Sequence, residues 1–194
     1  MSKPDPFVAT LAFAEVLHEL RIPYVVGGSL ASILHGELRL TNDIDIAIAQ
    51  TSGRLDALAR LLEREFVVDC DAMAKAQREQ SSFGAIYRSG VVFVDVEVRA
   101  LGGHFAEQLK RAQKQPIGAE SNQFAFFCTA EDAVLQKLGW CRSPEGVSEG
   151  EWRDVLGVLK HSRERVDISY LREWAATLGV TALLQRALVE SGLG

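Results

Sequence analysis

Cysteine is scarce in this chain and too scattered to organise it. Cys70, Cys128 and Cys141 are odd in number and form no C-x-x-C pair. That argues against a disulfide framework and a cysteine zinc site, and leaves buried or half-buried free thiols. The four histidines, His18, His35, His104 and His161, are equally dispersed and show no metal-ligand spacing. No apolar run reaches the ~18 residues that a membrane-spanning helix requires. The first residues, MSKPDPF, lack the long apolar stretch of a signal peptide, so the expectation is a cytoplasmic protein with no membrane partner. Basic residues are outnumbered 21 to 26, for a net charge of −5. Bulk electrostatics therefore gives no reason to expect non-specific nucleic-acid binding. There is no internal repeat and no low-complexity segment.

What is present suits one domain, or one domain with a helical extension: 194 residues, 47% of them hydrophobic. The informative stretch opens at Val25 and reads VVGGSLASILHGELRLTNDIDI. Its pattern is strand, glycine turn at Gly27-Gly28-Ser29, short helix, loop and second strand. Side chains alternate along a strand, so Asp43 and Asp45 share one face while Ile44 enters a core. Two carboxylates on one edge, close to backbone amides at a helix start, suit a divalent cation and the phosphates it carries.

A second acidic pair, Asp95 and Glu97, shares one face of VVFVDVEV, the second arm of a hairpin expected over Ser82–Tyr87 and Val91–Val98. An acid buried there without a partner is costly; a solvated face is the alternative that the residues alone leave open. Asp69 and Asp71 make another D-x-D, but no glycine turn precedes it, and the pair is read as a solvated loop; the polar stretch Asp69 to Gln80 leaves room for a short helix around Ala72 to Ala76. Helical spacing is expected over Phe7–Leu20 and Arg54–Glu65, and Gln115–Gly118 and Phe124–Phe127 read as short strands.

From Thr129 onward the pattern turns helical. Thr129 with Asp132, and Ser148 with Glu151, resemble capping boxes; Asp167 caps a third helix that Gly179 stops. Lys137 lies mid-helix, and Asp154 lies in the next helix. The bland alternative for these two is an interhelix ion pair on the surface, worth little energetically; a functional role is the other.

Gly-Gly-Ser, a gap of 13 residues, then Asp-Ile-Asp resembles the signature of the nucleotidyltransferase-fold superfamily. Arg39 and Thr41 match the way its small bacterial toxin–antitoxin and abortive-infection branch enters the second strand. The resemblance implies an α+β fold: a nucleotidyltransferase-like mixed β-sheet with helices packed on it over residues 1–128, then a C-terminal helical bundle over 129–194. It implies transfer of NMP from an NTP to a hydroxyl, with Mg²⁺ or Mn²⁺ held by Asp43, Asp45 and a third carboxylate, Asp95 or, as fallback, Glu97, on a strand antiparallel to the first pair. It further implies nucleotide contacts from Gly27, Gly28, Ser29, Arg39, Lys137 and Asp154, with Lys137 also offsetting charge on the leaving group. It leaves the base of the NTP open, and it leaves a protein, a tRNA end or a small molecule as acceptor. The alternative it allows is an antitoxin-like or degenerate nucleotide-binding module acting through a protein partner.

Overall fold

The computed structural model describes residues 5–36, 40–51, 53–90, 92–120, 122–142 and 148–194. Arg39, Val91 at the start of the expected hairpin arm, and the loop expected over 143–146 lie outside the described residues. In chain order the elements are α1 (Pro6–Glu19), β1 (Tyr24–Val26), α2 (Gly28–Leu34), β2 (Asp43–Ala49), α3 (Leu55–Leu62), β3 (Phe66–Val68), α4 (Cys70–Glu79), β4 (Ser82–Tyr87), β5 (Val92–Arg99), α5 (Gly103–Arg111), β6 (Gln113–Pro116) and β7 (Phe124–Phe127). Four helices follow: α6 (Ala130–Trp140), α7 (Glu149–His161), α8 (Ile168–Leu178) and α9 (Thr181–Ser191). The chain divides into two compact units, Met1–Val26 with Leu40–Phe127, and Gly27–Arg39 with Cys128–Gly194.

The first unit holds a seven-stranded mixed sheet in the order β3-β4-β5-β2-β1-β7-β6. Its two faces differ because β4 and β5 alternate throughout and β2 alternates over its first half, before Ala47 and Ala49 are buried as well. Ile44, Ile46 and Ile48 stand in register with Val94, Val96 and Val98, and Phe83 and Ala85 extend the same buried face. Helices α1, α3 and α4 supply Phe13, Leu17, Leu58, Leu62 and Met73 to this core. Phe13 meets Phe66 edge-on at 5.2 Å, a geometry the ring quadrupoles favour. The other face of the β2–β5 region carries Asp43, Asp45, Asp95 and Glu97.

The segment after Asp69 is a helix over Cys70–Glu79, longer than the short one allowed around Ala72–Ala76, and the D-x-D expected in a solvated loop stands at its start. The Asp69 carboxylate accepts from the backbone N–H groups of Asp71 and Ala72 at 2.9 and 3.1 Å. The second D-x-D is therefore a helix N-cap. Its signal was an Asp followed by ten residues that include three alanines and Met73, a helix-forming run whose polarity hid it.

At the far end of α1, the chain turns through Arg21 in the left-handed region, with φ of 51°. The Ile22 N–H donates to the Leu17 carbonyl at 2.9 Å and the Arg21 N–H to His18 at 3.0 Å. This is the Schellman arrangement, which usually places glycine where Arg21 stands. Arg54 holds the turn from outside, donating to the Leu20 and Arg21 carbonyls.

The second unit holds α2 and the four C-terminal helices. Val134, Leu138, Val155, Leu159, Leu171 and Leu184 form its buried centre. Two of the expected caps form. The Asp132 N–H donates to Thr129 Oγ1 at 3.3 Å, and the Thr129 hydroxyl donates back to Asp132 Oδ2 at 3.0 Å. The Asp167 carboxylate accepts from the Tyr170 N–H at 3.0 Å, and Gly179, with φ of 69°, ends α8. These caps are cross-linked, because Tyr170 donates its hydroxyl to Asp132 and the Asp167 N–H donates to Glu131. Buried acids at the start of α6 are thus satisfied by the start of α8. The box expected at Ser148 does not form; Ser148 makes no side-chain cap. Glu151 instead meets a buried cation, and an ion pair outweighs a capping bond of about 1 kcal/mol.

Candidate active site

In the first unit the acids are brought side by side by strand register. Asp45 stands opposite Asp95, Asp43 opposite Phe93, and Ala47 opposite Glu97. Neighbouring strands lie about 4.8 Å apart, and registered partners point to the same face, so Asp43, Asp45 and Asp95 share it. The entry to β2 is fixed locally. The Asp43 N–H donates to Thr41 Oγ1, and the Thr41 hydroxyl donates to the Asp43 carbonyl, both at 3.1 Å.

One expectation is corrected here: β5 runs parallel to β2, not antiparallel. The chain enters β5 from the β4 hairpin, and β4 already runs opposite to both. The change of direction leaves the Asp45–Asp95 pairing intact, because facing depends on register.

Asp95 and Glu97 are separated by their neighbours. Arg99 donates to Glu97 Oε2 at 2.5 Å and to Gln108 at 3.2 Å, and it stacks over Phe105. Glu97 is therefore committed to a cation of its own. Burial, and then the Glu97 charge two residues along, push the Asp95 carboxyl above the usual carboxylate range. Added positive charge at that position is stabilising. Among the described residues, no three His, Cys, Asp or Glu side chains form a metal-binding group. Register aligns the carboxylates without closing them into a ligand shell. Their donor chemistry fits a divalent cation, since carboxylate oxygens are the hard ligands that Mg²⁺ and Mn²⁺ take.

Beside this acidic rung lies an apolar one. Asp43 is followed across the sheet by Phe93, Ile86 and Val67, each in register with the next. Phe93 is 51%, Ile86 37% and Val67 47% exposed, so the row faces outward. Gly84, opposite Asp95, leaves open space where a side chain would stand.

In the second unit, Gly27 caps α2 and Gly28 begins it with φ of 56°, a conformation glycine adopts without cost. The turn is closely covered. The Gly28 N–H donates to Gln136 Oε1 at 2.9 Å, and a Cβ on Gly27 would lie 2.3 Å from that oxygen. A phosphate oxygen at this amide would have to displace Gln136. No sequence signal pointed to Gln136, whose contact spans 108 residues. Ser29 is buried, and the Ser32 hydroxyl donates to the Gly28 carbonyl. His35 bonds through Nε2 to the Cys128 carbonyl, a structural use.

Lys137 and Asp154 form the interhelix pair of the bland alternative, but a buried one and not a surface one. The Lys137 side chain is 1% exposed, and Asp154 is fully buried. The ammonium lies 2.8 Å from Asp154 Oδ2 and donates to Glu151 Oε2 at 2.6 Å. The pair sits where α6 and α7 pack, so the charges are held inside the helix interface.

No protein-family model matches the sequence, and no curated protein sequence does either. Similarity appears at the level of structure. The antibiotic-resistance factor ANT(2″)-Ia, solved with adenylyl-2″-tobramycin, aligns with a TM-score of 0.59 at 14% identity over 89% of this chain and 96% of its own. The lincosamide antibiotic adenylyltransferase LnuA, solved with lincomycin, aligns with a TM-score of 0.51 at 12% identity over 81% and 98%. A nucleotidyltransferase-like protein from Paracoccidioides brasiliensis gives 0.51 at 17% identity over 94% and 91%. The chain has the nucleotidyltransferase fold.

Proposed function

We propose that this protein is a divalent-cation-dependent nucleotidyltransferase that moves NMP from an NTP to the hydroxyl of a small molecule. The observation that carries the reading is the rung of Asp43, Asp45 and Asp95 on one outward face of a nucleotidyltransferase sheet, set by the pairing of Asp45 with Asp95. When bound, the cation neutralises charge on the triphosphate and acidifies the acceptor hydroxyl. Asp43 and Asp45 would hold it, with Asp95 as the third carboxylate; Glu97, paired with Arg99, would not. The acceptor oxygen forms a bond to the α-phosphorus, the bond from that phosphorus to the bridging oxygen breaks, pyrophosphate leaves, and the hydroxyl proton is released.

Gly27, Gly28, Ser29 and Arg39 are assigned to the triphosphate on the strength of the motif. For Gly28 this requires Gln136 to turn away. Lys137 and Asp154 are assigned differently from what the resemblance implies. An ammonium already held by two carboxylates supports a structural role better than a phosphate contact.

Three observations favour a small-molecule acceptor over RNA. The net charge is −5, the face beside Asp43 offers the apolar Phe93–Ile86 row, and two fold neighbours were solved with an aminoglycoside product and a lincosamide. A role in a toxin–antitoxin pair is compatible with this chemistry but draws little support. In the last 30 residues the large apolar residue that stands well exposed is Val189, which is short of a docking stripe.

The test is incubation with each α-labelled NTP, Mg²⁺ or Mn²⁺, and separate pools of small hydroxyl compounds, RNA and protein. Label is expected in the small-molecule fraction with pyrophosphate released, and none with Asp43→Ala/Asp45→Ala. Label in protein or RNA would replace the acceptor assignment. No label in any pool, with every NTP, would count against transfer itself.

A further inference from the structure

In the first unit, a cavity of about 480 Å³ opens between the end of α1, the start of β1, the end of α5 and β7. Leu17, His18, Arg21, Leu109, Phe124 and Phe126 are among the residues that line it. Tyr24, in its wall, pairs with Ile48, which is three residues along β2 from Asp45 and five from Asp43, or about 10 and 16 Å at the rise of a strand, and Ile48 points to the sheet face opposite the acids.

The walls are aromatic and internally satisfied. His18 stacks on Phe124 at 4.6 Å with 29° between planes, and Phe124 meets Phe126 edge-on at 5.5 Å. The Tyr24 hydroxyl bonds to His18 Nε2 at 3.0 Å and accepts from the Phe126 N–H at 3.2 Å. Burial, and then the Lys114 charge, hold the His18 imidazole below its ordinary value, and burial pushes the Tyr24 phenol up. Both are neutral near pH 7, so the interior presents ring faces without an uncompensated charge.

The charges at the cavity are positive. Among the described residues, no acidic one lines it. Lys114 sits 3.8 Å over the Phe124 ring, and Arg21, part of the cavity's lining, forms no ion pair among the described residues. Arg21 also holds the left-handed turn at the end of α1, where glycine would be unstrained. Backbone strain of this kind is kept where a ligand site uses it.

We infer that this cavity binds a flat aromatic anion, its ring between the aromatic and leucine walls and its carboxylate at Arg21. A protein of net negative charge presents here a locally basic, apolar hollow, and that combination selects an aromatic ring carrying one negative charge over a neutral or cationic one. The site stands apart from the transfer reaction and does not depend on it.

The probe is 2-naphthoate, with neutral 2-naphthol as its uncharged counterpart, titrated into the full chain and followed by backbone amide shifts. Saturable binding of 2-naphthoate is expected, with shifts confined to the segments around Leu17–Tyr24, Leu109 and Phe124–Phe126. Arg21→Gly removes the guanidinium while relaxing the turn, so it should melt no lower than the wild type. It should bind 2-naphthoate about tenfold more weakly, the value of one charge-assisted contact, and 2-naphthol unchanged. Leu109→Trp, which fills the hollow, should abolish both. Equal 2-naphthoate affinity in wild type and Arg21→Gly, shifts centred elsewhere, or no saturation at millimolar probe would overturn the inference.

Discussion

Asp45→Asn is expected to lower NMP transfer by about 10³-fold or more, roughly 4 kcal/mol of transition-state stabilisation, with little change in melting temperature. The substitution is isosteric, so the ladder hydrogen bonds of β2 and the burial of Ile44 and Ile46 on the opposite face are kept. What is lost is one of the negative oxygens that the register sets beside Asp95. Steady-state rates at saturating nucleotide and cation measure the loss directly. Glu97→Gln is the matched control. Its carboxylate is already engaged by Arg99, and its rate should stay within a few-fold of the wild type. A Glu97→Gln loss as deep as that of Asp45→Asn would move the third carboxylate from Asp95 to Glu97.

Lys137→Met is expected to destabilise the fold by about 3–5 kcal/mol, the cost of leaving buried charge without its partner. The ammonium is the cation that Asp154 and Glu151 share, and Asp154 is fully buried. Against the ~5–15 kcal/mol that holds a domain together, such a loss is large and is read from urea denaturation. Adding Asp154→Leu should recover part of it, since an apolar pair is an acceptable replacement for a buried ion pair. If Lys137→Met folds with undiminished stability yet loses transfer, the phosphate role implied by the resemblance gains over the structural one.

The sheet was legible because its strands alternate. The isoleucines of DIDIAIA and the valines of VFVDVEVR announce one buried face and therefore place the acids on the other. The glycine turn and the caps at Thr129 and Asp167 were legible for a similar reason, since each is a short-range device whose partners are neighbours in sequence. What the sequence hid were contacts made across the chain. Gln136 reaches Gly28, Glu151 leaves its cap for Lys137, and Arg99 pairs with Glu97. None of these follows from spacing, because each depends on which helix or strand packs beside which. The direction of β5 is hidden in the sequence for the same reason. It depends on the number of strands the chain lays down before returning to β2.

The most direct test of the acidic rung is Mn²⁺ binding, followed by the loss of free-ion paramagnetic resonance signal as protein is added. The wild type and Glu97→Gln should take up the ion with similar affinity, whereas Asp45→Asn and Asp95→Asn should each bind at least about tenfold more weakly. Unchanged uptake in both aspartate variants would contradict the assignment of these strands as the cation site.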